Sequence, residues 1–309
     1  MRIIVVGLGN QGRKRLAIAG EDAVTTVDPF NPRADFRSVE SVPLPAYDAA
    51  LVCTPDEAKI PLLTYLLSHG KHVLVEKPLI ADDNSQMREL ERLAQANGAA
   101  CYTAYNHRFE PNLAKLNEVL QRGELGKIHL VRFFYGNGTA ADVKASPWRD
   151  QGMGVVPDLC SHMLDLVDFL FGRPAEDFRV WSANCLENNA CDHVVAGCPG
   201  RPVVEMEATL LSWRNTFYLD VIGEQGSAHV HCLCKWGPST LTVRRRVFPS
   251  GKPTERRWTI EEPDPTWAAE YEHFNQLCRT GGTNIETDIW INSVLQQFAA
   301  NFEGTRCAA

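Results

Sequence analysis

An α/β nucleotide-binding domain with a parallel sheet, followed by an α+β domain, is the fold class this sequence predicts, on three observations. An apolar strand at 3–6 runs directly into Gly7-Leu8-Gly9-Asn10-Gln11-Gly12 and a helix-compatible segment. Strand-like and helix-like stretches then alternate to about residue 106, the β-α-β rhythm of a parallel sheet. From 178 to 261 strand patterns follow one another without helices between them, which is the mark of a large, mainly antiparallel sheet. The expected boundaries are 1–106 for a Rossmann-type domain and 107–309 for the second domain.

In the opening motif Gly7 permits the tight turn and Gly9 lets a pyrophosphate approach the backbone. Gly12 allows close helix–strand packing, and the helix start at Asn10 and Gln11 presents positive potential. The second strand, 23–27, ends at Asp28, sixteen residues past Gly12. A carboxylate there accepts an adenosine ribose hydroxyl and repels a 2'-phosphate, so NAD is expected over NADP, with nearby Arg33 the feature against. Helices are expected at 57–68, stopped by Gly70, and at 82–96, stopped by Gly98. The strand at 49–53 ends at Thr54-Pro55, facing the cofactor crevice, and that at 71–75 runs into Glu76-Lys77-Pro78. A fifth strand covers 99–104, whereas 29–48 is punctuated by prolines and too short for a full helix.

Composition agrees. A chain of 309 residues with 44% apolar content can fill two cores. Net charge of −7 leaves no electrostatic footprint for nucleic acid, and Arg244-Arg245-Arg246 before Val247-Phe248 reads as a strand edge. No apolar stretch approaches bilayer length, and a strand starting near residue 2 leaves no room for a signal peptide, so a cytoplasmic protein with ten reduced thiols is expected. Cys185, Cys191, Cys198, Cys232 and Cys234 with His193, His229 and His231 match no common zinc spacing, so no metal is expected.

In the second half, helices at 111–122 and 158–171 bracket a strand at 128–135, and helices at 267–278 and 287–302 close the chain. Asp158, His162 and Asp165 fall at i, i+4 and i+7 beside the apolar stripe Leu159, Met163, Leu166 and Leu170. Histidine is the natural base for a hydroxyl proton near neutral pH, and a neighbouring aspartate orients it. Taken alone, the pattern more often describes a helix with a solvated polar face; Gly152 and Gly154, just before it, shift the balance toward close approach by a ligand. Lys77, at the end of a cofactor-facing strand, is a cation that can polarise an oxygen, although a surface lysine before a turn proline looks the same locally.

Together these motifs resemble the Gfo/Idh/MocA (glucose-fructose oxidoreductase and inositol dehydrogenase) family over essentially the whole chain. The resemblance rests on Gly7 to Gly12, Thr54-Pro55, Glu76-Lys77-Pro78, Tyr105-Asn106-His107-Arg108-Phe109 and Asp158-x-x-x-His162. It implies an NAD(P)-dependent dehydrogenase acting on a hydroxyl-bearing carbon of a sugar, sugar acid or nucleotide sugar. Lys77 would hydrogen-bond the reacting oxygen, His162 would exchange its proton, and Asp158 would assist. The implied cofactor set is Gly7, Gly9, Asn10, Gln11, Gly12, Asp28, Thr54, Pro55, Glu76 and Lys77. The implied substrate set is Lys77, Tyr105, Asn106, Arg108, Trp148, Arg149, Asp158 and His162. The second domain would bind substrate and form a homodimer or homotetramer through its sheet.

Two departures stand out. Lys59 occupies a position where the family often has histidine, and 136–150 follows no family pattern, so it is expected to help define the substrate. There Trp148 suits stacking on a sugar face, and Lys144 and Arg149, with Arg108, suit an anion; the alternative for Arg108 and Arg149 is structural ion pairing. Rival functions are an NAD-retaining glycoside hydrolase of the same fold and a ligand-sensing Rossmann protein without turnover. A reductase of an imine or tetrapyrrole would not need Asp158 and His162.

Overall fold

Mostly apolar strands build the first sheet, because a strand covered on both faces has no side that needs polar residues; the edge strand at 23–27, with Val24 exposed, is the exception. In the computed structural model, which describes residues 1–147 and 149–302, these are β1 (Ile3–Val6), β2 (Ala23–Val27), β3 (Ala49–Val52), β4 (His72–Glu76) and β5 (Cys101–Ala104). All neighbours pair in parallel, in the order β2-β1-β3-β4-β5, so the strand order reverses between β1 and β3. Ligands of open α/β sheets bind beyond the strand C-termini at that reversal. The connecting helices are α1 (Asn10–Ala19), α2 (Asp56–Ser68) and α3 (Asn84–Ala96). The Asp83 carboxylate caps α3 by accepting from Ser85 N, and Met87, Leu90 and Ala94 form its buried stripe. Between β2 and β3, residues 29–48 form two single 3-10 turns and one parallel bridge, Val27 to Phe36, in place of a helix and further strand.

This first unit comprises Met1–Asn106 and also Thr266–Ser293, a stretch the sequence reading placed with the second domain. The outer edge of β5 explains why. Cys101 N donates to Gly282 O, Asn284 bonds both Thr103 N and O through its side chain, and Asp288 accepts from Thr103 Oγ1 and Tyr105 Oη. An otherwise open sheet edge is thereby closed. The segments responsible are the connection 281–284, between α7 (Thr266–Thr280) and α8 (Ile285–Phe302), and the start of α8.

The second unit, His107–Pro265 with the chain from Val294, is built on an eight-stranded sheet. Its strands are β6 (Ile128–Gly136), β7 (Arg179–Asn184), β8 (His193–Cys198), β9 (Val203–Thr209), β10 (Thr216–Gly223), β11 (Gly226–His231), β12 (Ser239–Arg245) and β13 (Thr254–Ile260). In the order β13-β12-β11-β10-β6-β9-β8-β7 every pair is antiparallel except β6 with β9. Alternation sends Val131, Phe133, Tyr135, Phe217, Leu219 and Val221 inward, while Arg132 and Tyr218 face out. Helices α4 (Pro111–Gln121), the short α5 (Ala140–Lys144) and α6 (Ser161–Phe171) complete this unit. A π-helical turn, Val156–Cys160, leads into α6, so Asp158 lies outside the regular α-helix on which the one-face spacing was reckoned.

Among the described residues no helix is long and apolar enough to cross a membrane, and no cluster of histidine, cysteine or acidic residues could hold a metal. Among the described residues eight cysteines are free thiols, whereas Cys185 is disulfide-bonded, contrary to the expectation of ten reduced thiols. That expectation came from the compartment inferred from sequence alone.

Candidate active site

The glycine turn is shaped by backbone crowding on one side and open space on the other. Gly7 takes φ +89°, and a Cβ there would lie 2.5 Å from Cys53 O; one on Gly12 would lie 1.7 Å from Gly7 O. Only glycine lets α1 start this close to β1 and β3. A Cβ on Gly9 meets nothing within 4 Å, and Gly9 gives α1 no side-chain cap, so the first-turn N–H groups around Asn10 and Gln11 remain for an anion. At the end of β3, Thr54 Oγ1 is buried without a hydrogen-bond partner among the described residues, and Pro55 is the N-cap of α2. A cradle that one Cβ would fill and an orphaned hydroxyl beside the strand reversal fit a dinucleotide.

Asp28 braces this turn. Its carboxylate accepts from Leu8 N at 2.7 Å, Phe30 N at 2.9 Å and Asn31 N at 2.8 Å. Burial raises its pKa, but the three backbone donors outweigh burial and hold it below the usual aspartate range. The cation nearest it is Arg37, bonded to Asp28 O and Asn31 O, rather than Arg33.

At the end of β4, Glu76 is engaged away from the crevice. Arg15 on α1, 1% exposed, bonds Glu76 at 2.7 Å and Glu270 at 2.6 Å, and its guanidinium lies 4.2 Å over the Trp267 ring. Burial opposes its charge, yet the two carboxylates more than offset that and keep it protonated. Glu76 thus fixes the strand end that presents half-buried Lys77. Lys59 supports the same turn: 1% exposed, it donates to Pro78 O at 2.7 Å and pairs with Asp56 at 2.7 Å. Burial lowers its pKa, with Asp56 and Glu76 opposing and the Lys77 charge adding to the fall.

In the second unit His162 lies on α6, 7% exposed, with its ring stacked on His107 at 4.0 Å and 18°. The Tyr135 ring is 5.5 Å from His107 and 6.1 Å from His162. Burial drives the Tyr135 hydroxyl far above its ordinary pKa, with Asp158 adding to the effect, so it stays protonated. Lys235 approaches His107 Nε2 at 3.2 Å and Tyr135 Oη at 3.5 Å. The helix face carrying His162 is therefore enclosed by side chains, and the solvated-face alternative does not describe it. An imidazole held among rings with its approach restricted suits proton exchange with a single bound hydroxyl.

Two family models match the chain: the oxidoreductase family's NAD-binding Rossmann fold over residues 1–105, and the GFO/IDH/MocA C-terminal domain over 113–229. The chain belongs to the GFO/IDH/MocA family. NAD is the cofactor its first unit binds, and the glycine cradle fits it. Among relatives, the uncharacterized oxidoreductase YdgJ of Escherichia coli K12 is 28% identical over 222 residues, 66% of this chain and 61% of that protein. The scyllo-inositol 2-dehydrogenase (NAD(+)) of Bacillus subtilis is 24% identical over 94% of this chain and 89% of its own length. Among solved structures, levoglucosan dehydrogenase in complex with NADH superposes with a TM-score of 0.83 over 98% of this chain and 97% of that one, at 17% identity.

Against the family pattern, Tyr105 and Asn106 are buried and bond within the first unit, Tyr105 Oη to Asp288 and Asn106 Nδ2 to Thr266 Oγ1. Arg108 Nε and Nη2 bond Asp165 at 2.5 to 2.9 Å, and Asp165 is fully buried, its pKa pushed up to about 6 by burial against the pull of Arg108. Arg108 is thus the structural ion pair, because a carboxylate this buried requires its countercharge. Arg149 is half-buried in a turn, and Trp148 lies outside the described residues. His107, Tyr135 and Lys235 were missed. The one signal was the ionisable ring of His107 within the Tyr105-to-Phe109 motif; Tyr135 reaches it from β6 and Lys235 from the 3-10 turn Cys234–Trp236, both distant in sequence.

Proposed function

We propose that this protein is an NAD-dependent dehydrogenase that oxidises a hydroxyl-bearing carbon of a sugar, sugar acid or nucleotide sugar. The observation that carries this reading is His162, enclosed against His107 and Tyr135, on a family fold whose first unit carries Lys77 directly after β4. Relatives named for inositol and levoglucosan oxidation support a polyhydroxylated substrate. Lys77 donates to the reacting oxygen and stabilises the negative charge that develops there. His162 takes the hydroxyl proton, with Asp158 stabilising the charged ring, and a carbonyl is left on the substrate. When bound, NAD supplies the acceptor for the hydride that leaves the carbon. Glu76, tied to Arg15, and Lys59, tied to Pro78 O, hold the Lys77 turn.

The test is a panel of polyols, sugars, sugar acids and nucleotide sugars followed by NADH absorbance. The substrate found should lose about 100-fold or more of its turnover in Lys77→Ala and in His162→Ala, with both variants folded and binding NAD. Turnover within a few-fold of the parent removes that residue from the mechanism. Self-association through the outer face of the eight-stranded sheet belongs to the same proposal, supported by exposed Tyr218 and Trp181, and light scattering checks it.

A further inference from the structure

We propose that Phe30 is a stacking platform for the adenine of NAD: its exposed ring takes the purine base while Asp28, two residues earlier, takes the adenosine ribose. This rests on the ribose lying at Asp28 and adds a base-binding residue to it.

The ring stands out against the way its own segment treats other apolar side chains. Residues 29–48 bury Val39, Val42 and Tyr47 to 3% exposure or less and pack Phe36 and Leu44 against the same core. Phe30 is 91% exposed, more than any other large hydrophobic side chain among the described residues. It is also the only exposed aromatic ring of the first unit among those residues. An uncovered phenyl ring forgoes the free energy of burial, which a flat ligand laid on it restores.

The chain that carries the ring is tied on both sides. Phe30 N donates to Asp28 Oδ1 at 2.9 Å, and Asn31 N donates to the same oxygen at 2.8 Å. Asn31 O accepts from Ala34 N at 3.1 Å and from Arg37 Nη1 at 2.8 Å, while Asn31 Oδ1 accepts from Arg33 N at 3.0 Å. Beyond the turn, Phe36 N donates to Thr26 O and Phe36 O accepts from Asp28 N, both at 3.1 Å, which fastens the return to β2. Backbone fixed in this way before the ligand arrives has little freedom left to lose on binding.

The position follows from the two ends of one carboxylate. Asp28 Oδ2 accepts from Leu8 N at 2.7 Å, inside the glycine turn, and Asp28 Oδ1 holds Phe30 N. Asp28 thus joins the turn proposed for the pyrophosphate to the residue that carries the ring. Pyrophosphate, ribose and adenine follow one another along NAD. With the first at Gly9 and the second at Asp28, the third is due just past Asp28, where Phe30 stands. A phenyl ring has no polar atom with which to read a base edge, so the contact it offers is stacking on the purine face.

The experiment is calorimetric titration of the apo protein with NAD and with ADP-ribose, which lacks the nicotinamide. Parent, Phe30→Ala, Phe30→Leu and Phe30→Tyr proteins are compared. Phe30→Ala should raise the Kd of both ligands by the same factor, about 5- to 150-fold, the range for one base stacked on an aromatic side chain. Phe30→Leu should lose most of that affinity, because it keeps apolar bulk without a flat face, and Phe30→Tyr should keep it. All apo proteins should melt within about 2 °C of the parent, since the ring packs on nothing. In Phe30→Trp, ADP-ribose should quench an indole fluorescence that the parent does not show. Parent-like affinity in Phe30→Ala, a loss confined to NAD, or leucine serving as well as tyrosine overturns the proposal. Titration of Asp28→Ala with NAD and NADP separates the two residues. A narrowed NAD preference with no effect of Phe30→Ala keeps the ribose at Asp28 and rejects the platform. A loss of ADP-ribose affinity in Phe30→Ala with the NAD preference of Asp28→Ala unchanged upholds the platform and rejects the ribose contact.

Discussion

Alanine at Gly12 and alanine at Gly9 should fail in opposite ways, although both change one hydrogen to a methyl in the same turn. At Gly12 the new Cβ would sit 1.7 Å from Gly7 O and 2.8 Å from Gly7 C. Ordinary non-bonded contacts lie near about 3.5 Å, so α1 must retreat from β1 by roughly 1.5 Å or more. The obstacle is backbone, which yields less readily than a side chain, so the upper end of the overpacking range applies, about 3 kcal/mol. For a chain of this size that corresponds to a Tm lower by roughly 6 to 12 °C. At Gly9, φ is −67° and nothing lies within 4 Å of the added carbon, so the apo protein should melt within about 2 °C of the parent. Its methyl instead occupies the space proposed for the pyrophosphate, and the Kd for NAD should rise at least about tenfold, or 1.4 kcal/mol. Scanning calorimetry of the apo proteins and titration with NAD read the two effects independently. A Gly9→Ala protein that binds NAD like the parent, or a Gly12→Ala protein that melts with it, would refute this account of the turn.

Three further outcomes follow from the same geometry. Asp28→Ala removes the acceptor for Leu8, Phe30 and Asn31 N–H and should destabilise the apo protein by about 2 kcal/mol while narrowing the preference for NAD over NADP in paired titrations. Because the native pKa of Asp28 is depressed, this deficit should be full above pH about 4 and fade as pH falls below it; a deficit independent of pH contradicts the bracing role. Lys59→Met leaves Pro78 O without its donor and should lower turnover about tenfold with NAD affinity nearly constant, Lys59→Arg recovering part of it; a parallel loss of NAD binding would show that Lys59 acts on the cofactor instead. Arg108→Met strands the buried Asp165 carboxylate and should cost about 3 to 5 kcal/mol by denaturant titration at pH 8. Without the arginine the Asp165 pKa climbs above about 6, so the loss should shrink toward pH 5 as the carboxyl is neutralised, and an equal loss at both pH values rejects the pairing.

Local pattern carried the first unit well, because parallel strands buried on both faces are continuous apolar runs and their ends are marked by Gly7, Asp28, Thr54 and Lys77. What pattern could not carry was pairing between distant positions. Arg15 meets Glu76 and Glu270, and Arg108 meets Asp165, over separations that leave no periodic trace, so Glu76 read as a cofactor ligand and Arg108 as a substrate ligand. The parallel pairing of β6 with β9 is likewise invisible, since alternation looks the same for either strand direction. At Val156–Cys160 a π-helical turn breaks the register on which i, i+4 spacing depends, while His162 itself, on regular helix, was placed correctly on α6.

The closing contribution of residues 266–293 to the first unit has a consequence for the order in which the molecule is made. Arg15 emerges from the ribosome with the first turn of the chain, but Glu270 and Trp267 follow some 250 residues later, after the whole eight-stranded sheet. Until then the nascent nucleotide-binding half carries a buried guanidinium with one of its two carboxylates and a β5 edge with bare amides. At about 5 to 20 residues per second that interval lasts on the order of tens of seconds. The first unit is thus discontinuous in sequence, and an excised 1–106 fragment should be an incompletely folded, aggregation-prone chain.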